Sequence, residues 1–383
     1  MPPPPPPPPP PHRTEDTLQR EPSLSPSTLT SSGKQRGVFD RRHPLYLGDW
    51  KRSLPAVHEH FARDDLDEPH FKRKRQILRE HPEIAQLYGY DTRTLYISAS
   101  IVFVQVALAW LYGHVLTEHT WSMLAVAYVV GGTAVSLAAV IVHECAHNLA
   151  AATPIANRMC SLVTNIIVPI PVAMSFRRYH LEHHTYQGVT GRDPDLPLDW
   201  EVRLIRGNPI SKLLWVFIYP VMYAVRGLGQ GKAMSTWEKY NWVWTICANV
   251  LLYRLCGLRG ILYLCASAWI GFSLHPGAAH FIQEHYTFVD GQETYSYYGN
   301  GNRLWLNIGL HNEHHDFMRV PWSRLPSVRK IASEYYDTLA YHTSWWMVLW
   351  RFIVDPTMGA LSRVDRTQEK HDLGRRMVRE HRQ

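Results

Sequence analysis

The sequence predicts an all-α membrane protein: four transmembrane helices under a cytosolic helical cap that carries a histidine-ligated dimetal site. Three observations predict it. Long, nearly uncharged stretches interrupt a chain whose first 93 and last 25 or so residues are densely charged. Three histidine clusters each follow an apolar stretch. Within each cluster the imidazoles have the spacing that lets one helix face chelate a metal.

Composition narrows the class. The 383 residues are 45% apolar and 12% aromatic, which excludes disorder throughout. Five cysteines, an odd number with no CxxC, exclude a disulfide scaffold. A net charge of +7 permits either nucleic acid or an anionic membrane surface as partner. The chain has no zinc-finger spacing and no basic repeat interleaved with aromatics, so no nucleic-acid partner is expected. The mean hydropathy of −0.24 is the average of charged ends and an apolar middle.

Residues 1–37, with a proline tract at 2–11, read as a disordered Pro/Ser-rich tail. No signal peptide is expected. Residues 38–93 read as a cytosolic segment whose basic run, Lys72–Arg75, lies against lipid headgroups. Spans are expected at 95–116 and 122–142, since about 20 apolar residues cross a core of about 30 Å. The link between them, 113–121, carries no Lys or Arg, which places it in the lumen and the N-terminus in the cytosol. Spans three and four are expected at 241–256 and 260–279, joined around Gly257. The stretches 158–175 and 213–229 contain prolines and are expected to be interfacial, because a separate crossing would put the histidine clusters on opposite faces. Trp345–Val354 suits an interfacial helix, and 366–383 a basic C-terminal tail.

The clusters are His143-Glu-Cys-Ala-His147, His180-Leu-Glu-His183-His184 and His311-Asn-Glu-His314-His315. Residues at i, i+3 and i+4 share a helix face, so each cluster is a ready-made imidazole chelate. Imidazole suits Fe, Zn, Cu and Ni. Eight nitrogens are too many for one tetrahedral zinc and suit two metals of higher coordination number. His280 or His285 is a candidate ninth ligand, and His275 is expected to be structural. Glu144, Glu182, Glu313, Asp193, Asp195 and Asp316 are candidates to accept the second ring N–H of a ligand. The remaining histidines, including His70, His81, His342 and His371, read as ordinary surface residues.

Two other classes compete. His143-Glu144-Cys-Ala-His147 satisfies the HExxH pattern of zinc proteases, which leaves six cluster histidines unexplained. A metal transporter would place its histidines within spans, whereas Arg177, Arg178 and Arg192 surround the second cluster.

The clusters, in this order around paired spans, resemble the membrane fatty-acyl desaturase and hydroxylase superfamily. Further segments narrow the resemblance to the sphingolipid Δ4-desaturases: DEPHFKRKRQILREHPEI (67–84), SFRRYHLEHHTYQG (175–188), LHPGAAHFIQEHY (274–286), ETYSYYG (293–299), HNEHHDF (311–317) and LPSVRKIASEYYD (325–337). It runs from about residue 39 to 365, dividing the chain into an N-terminal lipid-desaturase segment (38–93) and a membrane desaturase domain (94–365). The family usually has Pro where Met318 stands, and Ile or Leu at Cys145. The resemblance implies a diiron centre of two Fe ions, O2 as co-substrate, and electrons from NADH through cytochrome b5 and its reductase. It implies dihydroceramide as substrate, a trans C4–C5 double bond in the ceramide product, and an endoplasmic reticulum membrane with active site and both termini cytosolic. Sphingolipid C4-hydroxylation and fatty-acyl desaturation are the neighbouring activities. A basic face of Arg177, Arg178 and Lys72–Arg75 is expected to dock an acidic partner, and an apolar tunnel, with Trp305 a candidate wall, to hold the lipid chain.

Overall fold

A computed structural model describes residues 62–63, 68–205, 207–229 and 231–373. The expected proline tail, and residues 374–383 of the expected basic tail, lie outside them. The described chain is mostly helical: α1 (Pro69–Glu80), α2 (Arg93–His114), α3 (Thr120–Ala146), α4 (Pro154–Thr164), α5 (Ala173–Tyr186), α6 (Asp199–Leu204), α7 (Pro209–Phe217), α8 (Tyr219–Gly229), α9 (Thr236–Gly271), α10 (His280–Gln283), α11 (His311–Asp316), α12 (Leu325–Ile331), α13 (Ser333–Tyr336) and α14 (Trp345–Val354). Two parallel strand pairs of two residues each join Ala62–Arg63 to Val364–Asp365 and Ser296–Tyr297 to Tyr341–His342.

Among the described residues, three helices are long and apolar enough to cross a membrane: α2, α3 and α9. The third contains a reversal. Gly257 has φ 67° and ψ 178°, a conformation that suits glycine alone, and it divides α9 into arms 236–256 and 258–271. At 1.5 Å per residue, a straight helix would carry Phe272 about 22 Å past Gly257. Instead Ala268 and Phe272 pack on the same cluster, Val135, Ala138, Ile167 and Val168, as Ile101 and Val102 of α2, well back from the end of α2 at His114, whose ring bonds Leu255 O. The second arm therefore returns alongside α2 and α3. It ends at Gly271, short of the expected 279, because Pro276 starts a separate 3-10 turn. Close backbone approach locks the arms in place: a Cβ on Gly113 would lie 1.8 Å from Cys256 O, and one on Gly260 2.5 Å from Ala109 O. A π-helical turn in α3, Ala127–Gly132, sets Gly131 against Ser267 and Gly132 near His275.

The two proline-bearing stretches form no long helix. After α4, the Asn165 side chain donates to Val168 O and Ile170 O and accepts from the N–H groups of Val172 and Ala173. That one amide folds the Pro169–Pro171 segment into a tight return, and α5 starts beside it. The 213–229 stretch is broken at Ile218 into α7 and α8.

The N-terminal segment is part of the same packed body. Glu68 caps α1 by accepting from the N–H groups of His70 and Phe71. The buried face of α1 is His70, Arg73 and Ile77, the i, i+3, i+7 stripe of an amphipathic helix. Arg73, expected at headgroups, instead binds Asp316 and Asn312 of α11. The body also extends past residue 365: buried Arg366 donates to Gln187 O and pairs with Glu293 at 2.7 Å.

Replacing Gly113 with Val should destabilise the helical assembly by about 1–3 kcal/mol through overpacking. Thermal unfolding in detergent should show a lower midpoint for this variant and an unchanged one for Ser100→Ala, whose hydroxyl is exposed.

Candidate metal centre

The three histidine clusters arrive on three helix ends. His143 lies in the last turn of α3 and His147 caps it. Arg177 of α5 donates to the carbonyls of Cys145 and Ala146, tying that helix end to the second cluster. His180, His183 and His184 occupy the last two turns of α5, and His311, His314 and His315 form α11.

All eight imidazoles meet, with His285, in two adjoining groups. In the first, His143, His147, His180, His184 and His314 bring ring nitrogens within 4.8 Å of one another. Neighbouring Nε2 atoms are 3.1 Å apart for His143–His314, 2.9 Å for His147–His180, 3.0 Å for His184–His180 and 3.2 Å for His314–His184. In the second, His183, His285 and His315 converge. His183 and His285 approach to 2.9 Å, and His311 joins through a 2.9 Å contact with His285. His184 and His315 stack across the two groups at 4.1 Å. With a metal–nitrogen bond of about 2.1 Å, ligands at right angles stand about 3.0 Å apart, and tetrahedral ligands about 3.4 Å. The observed contacts lie close to this range, as nitrogens sharing one metal would.

Electrostatics prepares these nitrogens as donors. Burial, reinforced by the neighbouring imidazoles, holds His147, His180, His184, His285, His311, His314 and His315 well below the usual histidine value. They are neutral at pH 7, with lone pairs available. His183 is the exception. Burial would lower it, but the Asp193 carboxylate, 2.9 Å from Nδ1, raises it. Nε2 of His315 is buried without a hydrogen bond, which is unusual in a folded core, and the Nε2 atoms of His143, His147, His180, His184 and His314 face one another. Converging, mostly neutral imidazoles fit a pair of bound metal ions.

The expected carboxylates fare differently. Asp193 holds His183, and Asp195 is 3.7 Å from the same Nδ1. Glu144 lies 3.7 Å from His143 Nδ1 and accepts from Trp322 N–H. Glu313 accepts instead from Ser296 and Tyr298 hydroxyls, and Asp316 from His70, Arg73 and Tyr336. Glu182 points away, onto Lys232, because it falls on the opposite face of α5 from His180 and His184. Of the two ninth-ligand candidates, only His285 enters a group. His280 bonds Gly277 O through Nδ1 at 2.5 Å and covers Phe281. One turn of chain separates the two histidines, enough to set them on different walls.

Several residues read as superficial are internal. His70 is buried, bridging Asp316 and Thr294 at 2.9 Å each, with its ring 4.7 Å from His315. His342 and His371 are buried as well, and burial pushes His342 down to about 3. Arg73 and Arg177 are consumed by internal bonds and Arg178 pairs with Glu238, so the expected docking face loses much of its charge. Trp305 is packed in the core against Trp345. The spacing of His70, Arg73 and Ile77 after Pro69 was the available signal for the inner face of α1. Nothing local marks which histidine lies under another helix. A cleft of 990 Å³, bordered by Lys74, Tyr186 and Met318, reaches His184 and His315 from outside.

Two substitution pairs test this geometry by metal analysis of the purified protein. His285→Ala should lower metal content and His280→Ala should not. Asp193→Asn should weaken metal binding about 10–100-fold, while Glu182→Gln leaves it unchanged.

Comparison with known proteins agrees with this architecture. Residues 119–347 match the fatty acid desaturase family, and residues 58–93 match the sphingolipid Delta4-desaturase (DES) family. The chain is 41% identical over 306 residues to the sphingolipid delta(4)-desaturase DES1 of Drosophila melanogaster, covering 79% of this chain and 94% of that protein. It is 38% identical over 307 residues to the Homo sapiens DES1, with the same coverage of 79% and 94%. It is 40% identical over 304 residues to the sphingolipid delta(4)-desaturase/C4-monooxygenase DES2 of Bos taurus, covering 78% and 93%. Three converging histidine clusters, each on the end of a helix, together with these matches over four fifths of the sequence, make the chain a member of the sphingolipid Δ4-desaturase family.

Proposed function

We infer that this chain desaturates dihydroceramide to ceramide, introducing a trans double bond between C4 and C5 of the sphinganine chain. The observation that carries the reading is the convergence of nine imidazoles into two groups in a chain about 40% identical to sphingolipid Δ4-desaturases. An sp3 C–H bond of a lipid chain has no acidic proton, so side-chain acid–base chemistry cannot cleave it, and a redox cofactor must. His143, His147, His180, His184 and His314 would hold one iron, and His183, His285, His311 and His315 the other. When bound, the iron pair supplies the O2-dependent redox chemistry that removes two hydrogens from adjacent carbons. The overall balance is CH2–CH2 plus O2, two electrons and two protons, giving CH=CH and two waters.

The chain's own groups prepare that reaction. Asp193 fixes the ring of His183 by holding Nδ1–H. Asp316, pinned by Arg73 and His70, anchors α11 and so the positions of His311, His314 and His315. Burial keeps His147, His180, His184, His285, His311, His314 and His315 neutral, so protons do not compete for their nitrogens.

Four crossings, made by α2, α3 and the two arms of α9, put both ends of the described chain and all three clusters on one face. The reading places that face in the cytosol and the protein in the endoplasmic reticulum membrane. Electrons come from NADH through cytochrome b5 and its reductase, and the cleft at His184 and His315 supports entry of electrons there. The bovine relative's name includes a C4-monooxygenase, so 4-hydroxylation is a second reading with a separable product.

Purified protein loaded with iron should convert dihydroceramide to a product 2 Da lighter when NADH, cytochrome b5 and its reductase are supplied. A product 16 Da heavier identifies hydroxylation. Neither product, from protein that retains two irons, overturns the reading.

A further inference from the structure

The region beside the second histidine group has an unspent polar group. Glu284 is the residue before His285. Its carboxylate receives no hydrogen bond among the described residues, and its nearest basic atom, His311 Nδ1, is 3.6 Å away. Its side chain keeps 14% of its accessible surface, so it faces open space within the protein rather than packed core.

That space has a direction. Phe281, three residues earlier in the chain, stacks on Tyr219 at 5.5 Å, on Tyr223 at 6.5 Å and on Phe272 at 6.3 Å. Residues three apart at a helical turn share a face, so Glu284 continues the line of Phe281 inward. Outward, Trp269 of α9, one turn before Phe272, lies 5.6 Å from Phe217. On the same helix as Phe217, Ile210, Leu213 and Leu214 of α7 expose apolar side chains, as a wall toward lipid would. A line of aromatic rings thus leads from an apolar surface toward the carboxylate beside the second histidine group.

The chemistry of the proposed substrate requires such a group. In dihydroceramide the C3 hydroxyl is attached to the carbon next to C4, and the amide nitrogen sits on C2. A site that reacts at C4–C5 must therefore accommodate polar atoms within a few ångströms of the metals. A site acting in mid-chain would be apolar there. Resting on the Δ4-desaturase reading, we propose that Glu284 is a headgroup-binding residue: its carboxylate accepts the C3 hydroxyl hydrogen bond and so sets C4 and C5, rather than carbons further along, against the metal centre.

The test compares dihydroceramide with its 3-deoxy analogue. Full-length protein in lipid nanodiscs, wild type, Glu284→Ala and Glu284→Gln, is measured for lipid affinity without turnover, for metal content, and for KM and kcat. Wild type should bind dihydroceramide about tenfold more tightly than the 3-deoxy lipid, the worth of one hydrogen bond. In Glu284→Ala that ratio should fall to near one, through loss of dihydroceramide affinity alone, with metal content unchanged. Glu284→Gln should restore most of the ratio, since its amide oxygen also accepts. A ratio that stays at about ten in Glu284→Ala, or equal losses for both lipids, overturns the proposal. Loss of metal in Glu284→Ala also overturns it, by assigning the carboxylate to His311. If wild type binds both lipids but forms no C4 product, the activity reading fails while the binding ratio still decides the role of Glu284.

Discussion

Everything in this protein is arranged around one electrostatic constraint: nine imidazoles must sit within touching distance in a dry interior. Protonated, they would repel one another and could not be buried. Neutral, they bring nitrogen lone pairs together, where a cation can bind them. Burial holds seven of the nine neutral, and bound metals would supply the shared partner. The ends of α5 and α11 cannot be placed independently, because both histidine groups draw rings from each of them. His180 and His184 serve one group and His183 the other, while His314 and His311 with His315 divide in the same way.

Holding those ends needs charge inside the fold. Asp316 at the end of α11 receives both His70 and Arg73 from α1, and Arg177 closes the open carbonyls at the end of α3. Breaking a buried pair such as Arg73–Asp316 costs about 3–5 kcal/mol, because a bare charge is left behind. Such pairs add little to net stability compared with apolar packing. Their directional bonds fix where α11 ends relative to α1. The N-terminal segment is thus a brace for the third histidine cluster, and Arg73 faces inward for that reason.

The apolar helices solve a different problem. Interhelical approach without a hydrophobic driving force relies on small residues that let backbones touch. Gly113 against Cys256, Gly260 against Ala109 and Gly131 against Ser267 are contacts of this kind. They bring the returning arm of α9 close to α2 and α3. That return delivers His285 to the same end as His143, so the glycine contacts and the histidine groups are parts of one design.

The sequence by itself determined the helical class, the places of the apolar stretches, and the eight cluster histidines, because helix periodicity and metal chelation are both written in local spacing. The reversal at Gly257 was legible for the same reason, as a glycine-containing join between two apolar runs. What only the tertiary structure decided is which side chains of different elements meet. His285 rather than His280 joins the histidine groups, Glu182 turns out to Lys232, and His70, Arg73 and His342 go inside. Each outcome depends on a partner 26 to 246 residues away in the chain. Spacing fixes the face a side chain points from, but only packing fixes what that face is pressed against.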